Sequence, residues 1–170
     1  MAYMIRLGRL EDLDEIKLLT EACAVALQEQ GIFQWNEHYP SRERLQEDLE
    51  REELHVLEEQ DIITGIVVLT PKKDEVYGPI EWLTADGKNL YVHRLATLPS
   101  KWGRGGGRIL MDYAEQKAVM QKLDSIRLDT FSQNKRNQKF YETQGYKRLG
   151  EIYFPDKSPF PFYCYEKLLR

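Results

Sequence analysis

The chain has 170 residues, 42% hydrophobic and 31% charged, with a formal net charge of −4. This length suits a single domain, 1–170, with a true core, and the acidic balance excludes a general nucleic-acid binder, whose affinity would rest on a basic face. The two cysteines, Cys23 and Cys164, have no pairing or metal-ligand spacing; no apolar run approaches the ~18 residues that span a bilayer, and no signal-peptide pattern opens the chain. A reducing, cytoplasmic setting with no membrane and no metal is the expectation.

Taken in chain order, Tyr3 to Leu7 alternates like a strand. Glu11 to Gln30 reads as a helix, with Leu13, Ile16, Leu19, Cys23, Ala26 and Leu27 on one stripe and Gly31 as its stop. Ser41 to Arg51 is a second helix with Ser41 as N-cap, and the acidic run Glu47, Asp48, Glu50, Glu52 and Glu53 reads as a solvated face. Leu54 to Glu58 and Ile62 to Thr70 form an antiparallel pair about a turn at Gln60-Asp61. Pro71 to Thr84 is mixed and turn-rich. Leu90 to Leu98 is a central strand, Arg108 to Gln121 a helix, Ser125 to Phe131 a strand, and Asn134 to Thr143 a short helix. Tyr146 to Phe154 and Phe162 to Leu168 are the last two strands. This order predicts a mixed α/β sheet with helices on both faces rather than a doubly wound fold.

The densest signal lies between the central strand and its helix. After Leu95-Ala96-Thr97-Leu98-Pro99 come four glycines in five residues, Gly103, Gly105, Gly106 and Gly107, flanked by Arg104 and Arg108. Glycines let backbone approach a ligand closely, and unpaired N–H groups at a helix start favour an anion, phosphate above all. Lys101 to Arg108 and Lys135 to Lys139 are local basic stretches, as an anion site needs. A P-loop is excluded, because Gly107 is followed by Arg108 and Ile109 rather than Lys and Ser or Thr. A dinucleotide fingerprint would need a third glycine where Arg108 stands.

Trp102-Gly103-Arg104-Gly105-Gly106-Gly107 resembles the acyl-CoA loop of the GNAT N-acetyltransferase superfamily, with Trp102 in place of the usual leading Gln or Arg. A second motif agrees. Asn134, then Phe140 and Tyr141, then Gly145 and Tyr146, match a GNAT pattern residue by residue, with Asn137 where a small residue is usual. Gly31 to Trp35, Tyr39-Pro40, His93 to Ala96 and Tyr163 to Lys167 are similar to an uncharacterised bacterial subgroup of that superfamily.

The resemblance implies a GNAT fold over the whole chain, a mostly antiparallel sheet whose strands splay around the third helix, and acetyl-CoA as co-substrate. It implies transfer of an acetyl group, by direct attack, to a primary amine of a small molecule, amino acid or peptide. Pantetheine would pair with the backbone of Leu95, Ala96 and Thr97, the Leu95 N–H serving the oxyanion. Pyrophosphate would lie on Trp102, Gly103, Arg104, Gly105, Gly106, Gly107 and Arg108. Asn134 and Tyr141 would complete the cofactor site, the Tyr141 phenol being placed to protonate the leaving thiolate.

An amine is mostly ammonium at neutral pH, so a proton acceptor is needed. Some relatives carry Glu where this chain has Tyr91. His93 matches the position of a histidine assigned to proton removal in arylalkylamine N-acetyltransferases, and imidazole titrates in the right range. Glu81 and a water chain are the rivals; His38 and His55 read as surface or packing histidines. Trp35, Tyr39 and Trp82 are candidates for substrate walls, where aromatic rings near carboxylates suit a cationic amine. The alternative function is a non-catalytic acyl-CoA-binding regulatory module. A final exposed strand could pair in a homodimer.

Overall fold

A computed structural model describes residues 2–169. Its strands are β1 (Met4–Leu7), β2 (Leu54–Glu59), β3 (Ile62–Thr70), β4 (Asn89–Thr97), β5 (Ser125–Phe131), β6 (Lys147–Ile152) and β7 (Phe162–Leu168); its helices are α1 (Leu13–Glu29), α2 (Arg42–Glu50), α3 (Gly106–Met120) and α4 (Lys135–Thr143). The strands form a seven-stranded sheet in the order β1-β2-β3-β4-β5-β7-β6. Pairing is antiparallel for β1–β2, β2–β3, β5–β7 and β6–β7, and parallel for β4–β5. This is the mixed, mostly antiparallel α/β class that the order of elements predicts. Two compact units are distinguished, residues 2–69 with 93–113 and residues 70–92 with 114–169.

In the first unit the apolar stripe of α1 buries Leu13, Ile16, Leu19 and Cys23 against Leu45 and Leu49 of α2 and against Leu54, Val56, Ile63, Ile66 and Val68 of β2 and β3. The helix starts later than its periodicity suggests. Leu10–Asp12 is a separate 3₁₀ turn, because the Asp12 carboxylate accepts the Arg9 N–H at 2.8 Å and both terminal nitrogens of Arg6 at 2.8 and 3.0 Å. Ser41 caps α2 as expected, its hydroxyl accepting the Arg44 N–H at 3.1 Å. The β2–β3 turn has φ of +51° at Gln60 and +65° at Asp61, the pair of left-handed residues that a tight two-residue hairpin turn requires.

The acidic run of α2 is not uniformly solvated. Asp48 is fully buried, and its two oxygens accept from Arg94 Nε at 2.7 Å and Nη2 at 2.9 Å. Arg94 lies within β4 yet has a φ of +49°. A left-handed residue in a strand makes a bulge and interrupts the alternation of faces. The spacing of His93 and Leu95 across this kink therefore does not place the two on one face; all the residues from His93 to Thr97 are half-buried.

The second unit is organised by a buried cation. Arg127 of β5 and Glu166 of β7 are register partners, both side chains are fully shielded, and Arg127 Nε donates to Glu166 Oε2 at 3.0 Å. The same guanidinium reaches Asp86 Oδ1 at 2.7 Å, the Tyr91 hydroxyl at 2.9 Å and the Thr84 carbonyl at 2.6 Å. Glu166 also accepts the Leu83 N–H and the hydroxyls of Thr84 and Ser125. The turn-rich segment after β3, which contains only a short 3₁₀ turn at Glu75–Tyr77, is thus fastened at its second half by polar bonds.

Removing one member of a buried ion pair strands the other, at a cost of about 3–5 kcal/mol. Arg94→Ala is expected to destabilise the chain by that amount in urea denaturation. The double variant Asp48→Leu with Arg94→Met should recover most of the loss, because no unpaired charge remains.

Candidate active site

In the first unit β4 leads into the glycine turn. The Thr97 carbonyl accepts the Cys23 thiol at 3.1 Å and the Trp102 indole N–H at 2.9 Å. Burial pushes the Cys23 thiol up to about 12, so it remains protonated and able to donate. Trp102, the departure from the family loop, is therefore a strap: its ring nitrogen closes the loop back onto the end of β4. Between them Pro99–Lys101 forms a 3₁₀ turn.

Gly103 and Gly105 have φ of +81° and +85°, and a Cβ at either would meet no heavy atom within 4 Å. Conformation, not crowding, demands glycine there, and the space beside the turn is open. Gly106 differs: a Cβ would stand 3.0 Å from Thr97 Cγ2, so this glycine lets the first turn of α3 lie against the strand. The Ile109 N–H bonds the Gly105 carbonyl at 3.0 Å. The N–H groups of residues 106–108 precede the first carbonyl that the helix can offer them. Beside this terminus lies a cavity of about 220 Å³ lined by Thr64, Thr97, Lys101, Arg104, Gly106 and Ile109, among others. Lys101, Arg104, the Glu59 carboxylate and the first helical residue, Gly106, line this hollow, and the positive end of α3 favours an anion beside it.

The second unit holds the other motif. Asn134 is buried and caps α4, its Oδ1 accepting the Asn137 N–H at 3.0 Å, so its oxygen serves the helix. Tyr141 is 5% exposed and lies against Tyr146 and Tyr165, with ring centroids 5.8 and 6.1 Å away. Burial, and secondarily the negative charge of Asp129, raises the Tyr141 phenol above its ordinary value. The proton stays on oxygen at neutral pH, as a donor requires.

The other predicted residues divide. His93 is half-buried on β4, next to the kink at Arg94, and Glu81 is exposed on its loop. Tyr91, where some relatives place Glu, is held by Arg127 and is fully buried. Trp35 belongs to the core of the first unit, because its large apolar ring is packed with α1 and α2; it does not stand as an open wall. Tyr39 packs on the same cluster, and its hydroxyl accepts from Arg94 at 3.4 Å. Trp82 lies under the Arg127 guanidinium at 4.6 Å and donates to the Tyr77 carbonyl. Its cation–π partner is thus internal. His38 is exposed beside Glu37, whereas His55 is buried and shares a 2.8 Å bond with the Tyr113 hydroxyl.

A family model described as the acetyltransferase (GNAT) family matches residues 17–146. The chain belongs to the GNAT acetyltransferase family. An uncharacterised N-acetyltransferase of Bacillus subtilis (strain 168), YesJ, is 26% identical over 148 residues, covering 82% of this GNAT chain and 79% of that protein. A Staphylococcus aureus Mu50 protein taken to be an acetyltransferase is 29% identical, with a TM-score of 0.77 over 98% of this chain and 99% of that one. The PaiA N-acetyltransferase of Thermoplasma acidophilum, solved in complex with coenzyme A, has the same fold at 19% identity, with a TM-score of 0.73 and 99% of each chain covered. Among the described residues of the GNAT chain no helix is long and apolar enough to cross a membrane, and no group of three or more His, Cys, Asp or Glu could hold a metal.

Sequence reasoning passed over Asp129 and Tyr77. The Tyr77 hydroxyl is fully buried and donates to Asp129 Oδ2 at 2.5 Å. A signal was available: in the pattern Arg127-Leu128-Asp129-Thr130-Phe131, two charges share one face of a central strand, where a parallel pair ordinarily has apolar residues.

Gly105→Asp adds a left-handed non-glycine residue, costing roughly 1–2 kcal/mol, and places a negative charge beside the helix terminus. Acetyl-CoA binding by this variant is expected to fall below detection in calorimetry. Parental affinity would remove the glycine turn from the binding site.

Proposed function

We propose that this chain is an acetyl-CoA-dependent N-acetyltransferase acting on a primary amine of a small molecule, amino acid or peptide. The observation that carries the reading is the turn between β4 and α3, with Gly103 and Gly105 left-handed and the amides of α3 beginning at Gly106. Family membership supports it, as does coenzyme A in the PaiA relative.

In this reading the amides of residues 103–108, with Arg104 and Arg108, hold the pyrophosphate. Single helix-terminus interactions are worth only about 0.3–1 kcal/mol when exposed, so several act together. The backbone of Leu95, Ala96 and Thr97 receives the pantetheine arm, and the Leu95 N–H stabilises the oxyanion formed as the amine attacks the thioester carbonyl. Tyr141 gives its proton to sulfur as the C–S bond breaks. Asn134 contributes by starting α4, the helix that carries Tyr141. A buried phenol with a raised pKa is a weak acid. Its contribution is a proton that is present at neutral pH beside the sulfur, and re-formation of the carbonyl as the C–S bond breaks supplies the driving force.

Tyr141→Phe keeps the ring and removes the proton donor. Acetyl-CoA affinity is expected to stay within about twofold of the parent while the rate of thiol release with an amine falls about 10²-fold or more, the range for a positioned acid. Equal turnover would return Tyr141 to packing. Cofactor binding by the parent without thiol release on any amine of a broad panel would favour a non-catalytic acyl-CoA module.

A further inference from the structure

We propose that Asp129 is the catalytic base of this chain and that Tyr77 is its positioning residue. This rests on the acetyl-transfer reading given above.

The geometry lies within the second unit. Asp129 is half-buried in the middle of β5, directly opposite Cys164 of β7. Leu128 and Thr130 face the other side of the strand, and Asp129 shares its own face with Arg127 and Phe131, both fully buried, while it alone of the three is half-buried. The Tyr77 hydroxyl, 2.5 Å away, fixes one carboxylate oxygen. Tyr77 is rigid: it is fully buried, its ring lies 5.3 Å from Trp82 and 5.9 Å from Tyr91, and its carbonyl accepts the Trp82 indole N–H at 3.2 Å. A carboxylate held by a short bond from an immobile phenol, on a strand that otherwise buries its side chains, is a costly arrangement for packing alone.

The ionisable groups whose electrostatics involve Asp129 include Tyr77 from the short 3₁₀ turn, Cys164 from β7 and Tyr141 from α4; Asp74 acts on Tyr77 and Cys164 from the segment before that turn. Burial and then Asp129 push the Cys164 thiol upward, so it stays neutral. Tyr77 and Tyr141 are also raised. These three side chains are thus neutral and protonated at physiological pH. Asp129 is coupled to the same tyrosine that supplies the leaving group's proton. Glu81, the other carboxylate considered for this task, is exposed on its loop.

The neutral amine attacks the thioester carbonyl, forming the C–N bond and an oxyanion. Its nitrogen, now cationic and strongly acidic, gives one proton to the Asp129 carboxylate. The C–S bond then breaks as sulfur takes the Tyr141 proton, leaving an amide, a thiol, a phenolate and a protonated Asp129. Transfer of the Asp129 proton to the phenolate through solvent restores both groups, with no oxidant, reductant or metal consumed.

The test is thiol release from acetyl-CoA against pH, on the full chain, with a panel of primary amines, for the parent, Asp129→Asn, Tyr77→Phe and His93→Gln. Asp129→Asn retains an acceptor for the Tyr77 hydroxyl but cannot take a proton. It is expected to lower kcat by about 10²-fold or more, to bind acetyl-CoA within twofold of the parent in calorimetry, and to lose the low-pH limb of the kcat profile. Tyr77→Phe should lower kcat less, leave KM unchanged and displace that limb, which loss of a merely structural contact would not do. His93→Gln should still show the low-pH limb, whatever its effect on the rate. A parental rate and pH profile in Asp129→Asn, or loss of acetyl-CoA affinity in step with rate, overturns the assignment while leaving the acetyl-transfer reading intact. Loss of the low-pH limb in His93→Gln, with the limb retained in Asp129→Asn, overturns it in favour of His93. A parent that releases no thiol with any amine overturns both readings together. If Asp129→Asn does not fold, Asp129→Glu decides: impaired kcat with retained affinity supports the base, and an undiminished kcat contradicts it.

Discussion

The bonds between Arg94 and Asp48 are the constraint on which the first unit depends. A left-handed arginine within β4 is strained by roughly 1–2 kcal/mol. What holds it is a two-bond grip by a carboxylate on α2 that is itself completely buried. Burial raises the Asp48 carboxyl above its ordinary range despite the pull of Arg94, so the pair is poor value as a source of stability. Its contribution is conformational: it sets the course of the backbone at Leu95, Ala96 and Thr97, and through the Thr97 carbonyl, gripped by Cys23 and Trp102, the entry to the glycine turn.

The second unit solves a parallel problem with the same chemistry. A long irregular segment follows β3, and Arg127 gathers its second half by binding Thr84 and Asp86 while Glu166 takes Leu83 and Thr84. Hydrogen bonds from Ser125, Thr84, Arg127 and the Leu83 N–H outweigh the burial of Glu166 and hold its carboxyl below the ordinary range. Here the ion pair is well compensated, since its polar atoms have several partners. Asp129, two residues beyond Arg127 on β5, then sits on a strand face whose surroundings are already fixed.

Much of this was readable from local pattern. The stripe of α1, the Ser41 cap, the Gln60-Asp61 turn and the sequence strand–glycines–helix each depend on residues close together in the chain, where periodicity and turn chemistry act. The features that escaped depend on partners far away. Asp48 looks like one more acid in a solvated run until Arg94 is placed beside it. Arg94 carries no glycine to announce its left-handed backbone. Trp35, between two helices and among polar residues, is buried in the cluster that holds residues of α1 and α2, a placement that its neighbours in the chain do not announce. Insertion of β7 between β5 and β6 is likewise non-local. The family motifs pointed to Asn134 and Tyr141, yet Asp129, on the strand before them, belongs to no short motif; its one signal, a charge on a central strand, gains meaning only once Tyr77 is placed beside it.

The central claim is that acetyl-CoA is held by backbone amides at the end of β4 and the start of α3. It is tested most directly by following the ¹⁵N–¹H resonances of the chain while acetyl-CoA is added. The account predicts that the amides of Leu95, Ala96 and Thr97 and those of residues 103–108 shift together, saturating at one dissociation constant. Saturable shifts confined to other segments, with these amides unmoved, would contradict it.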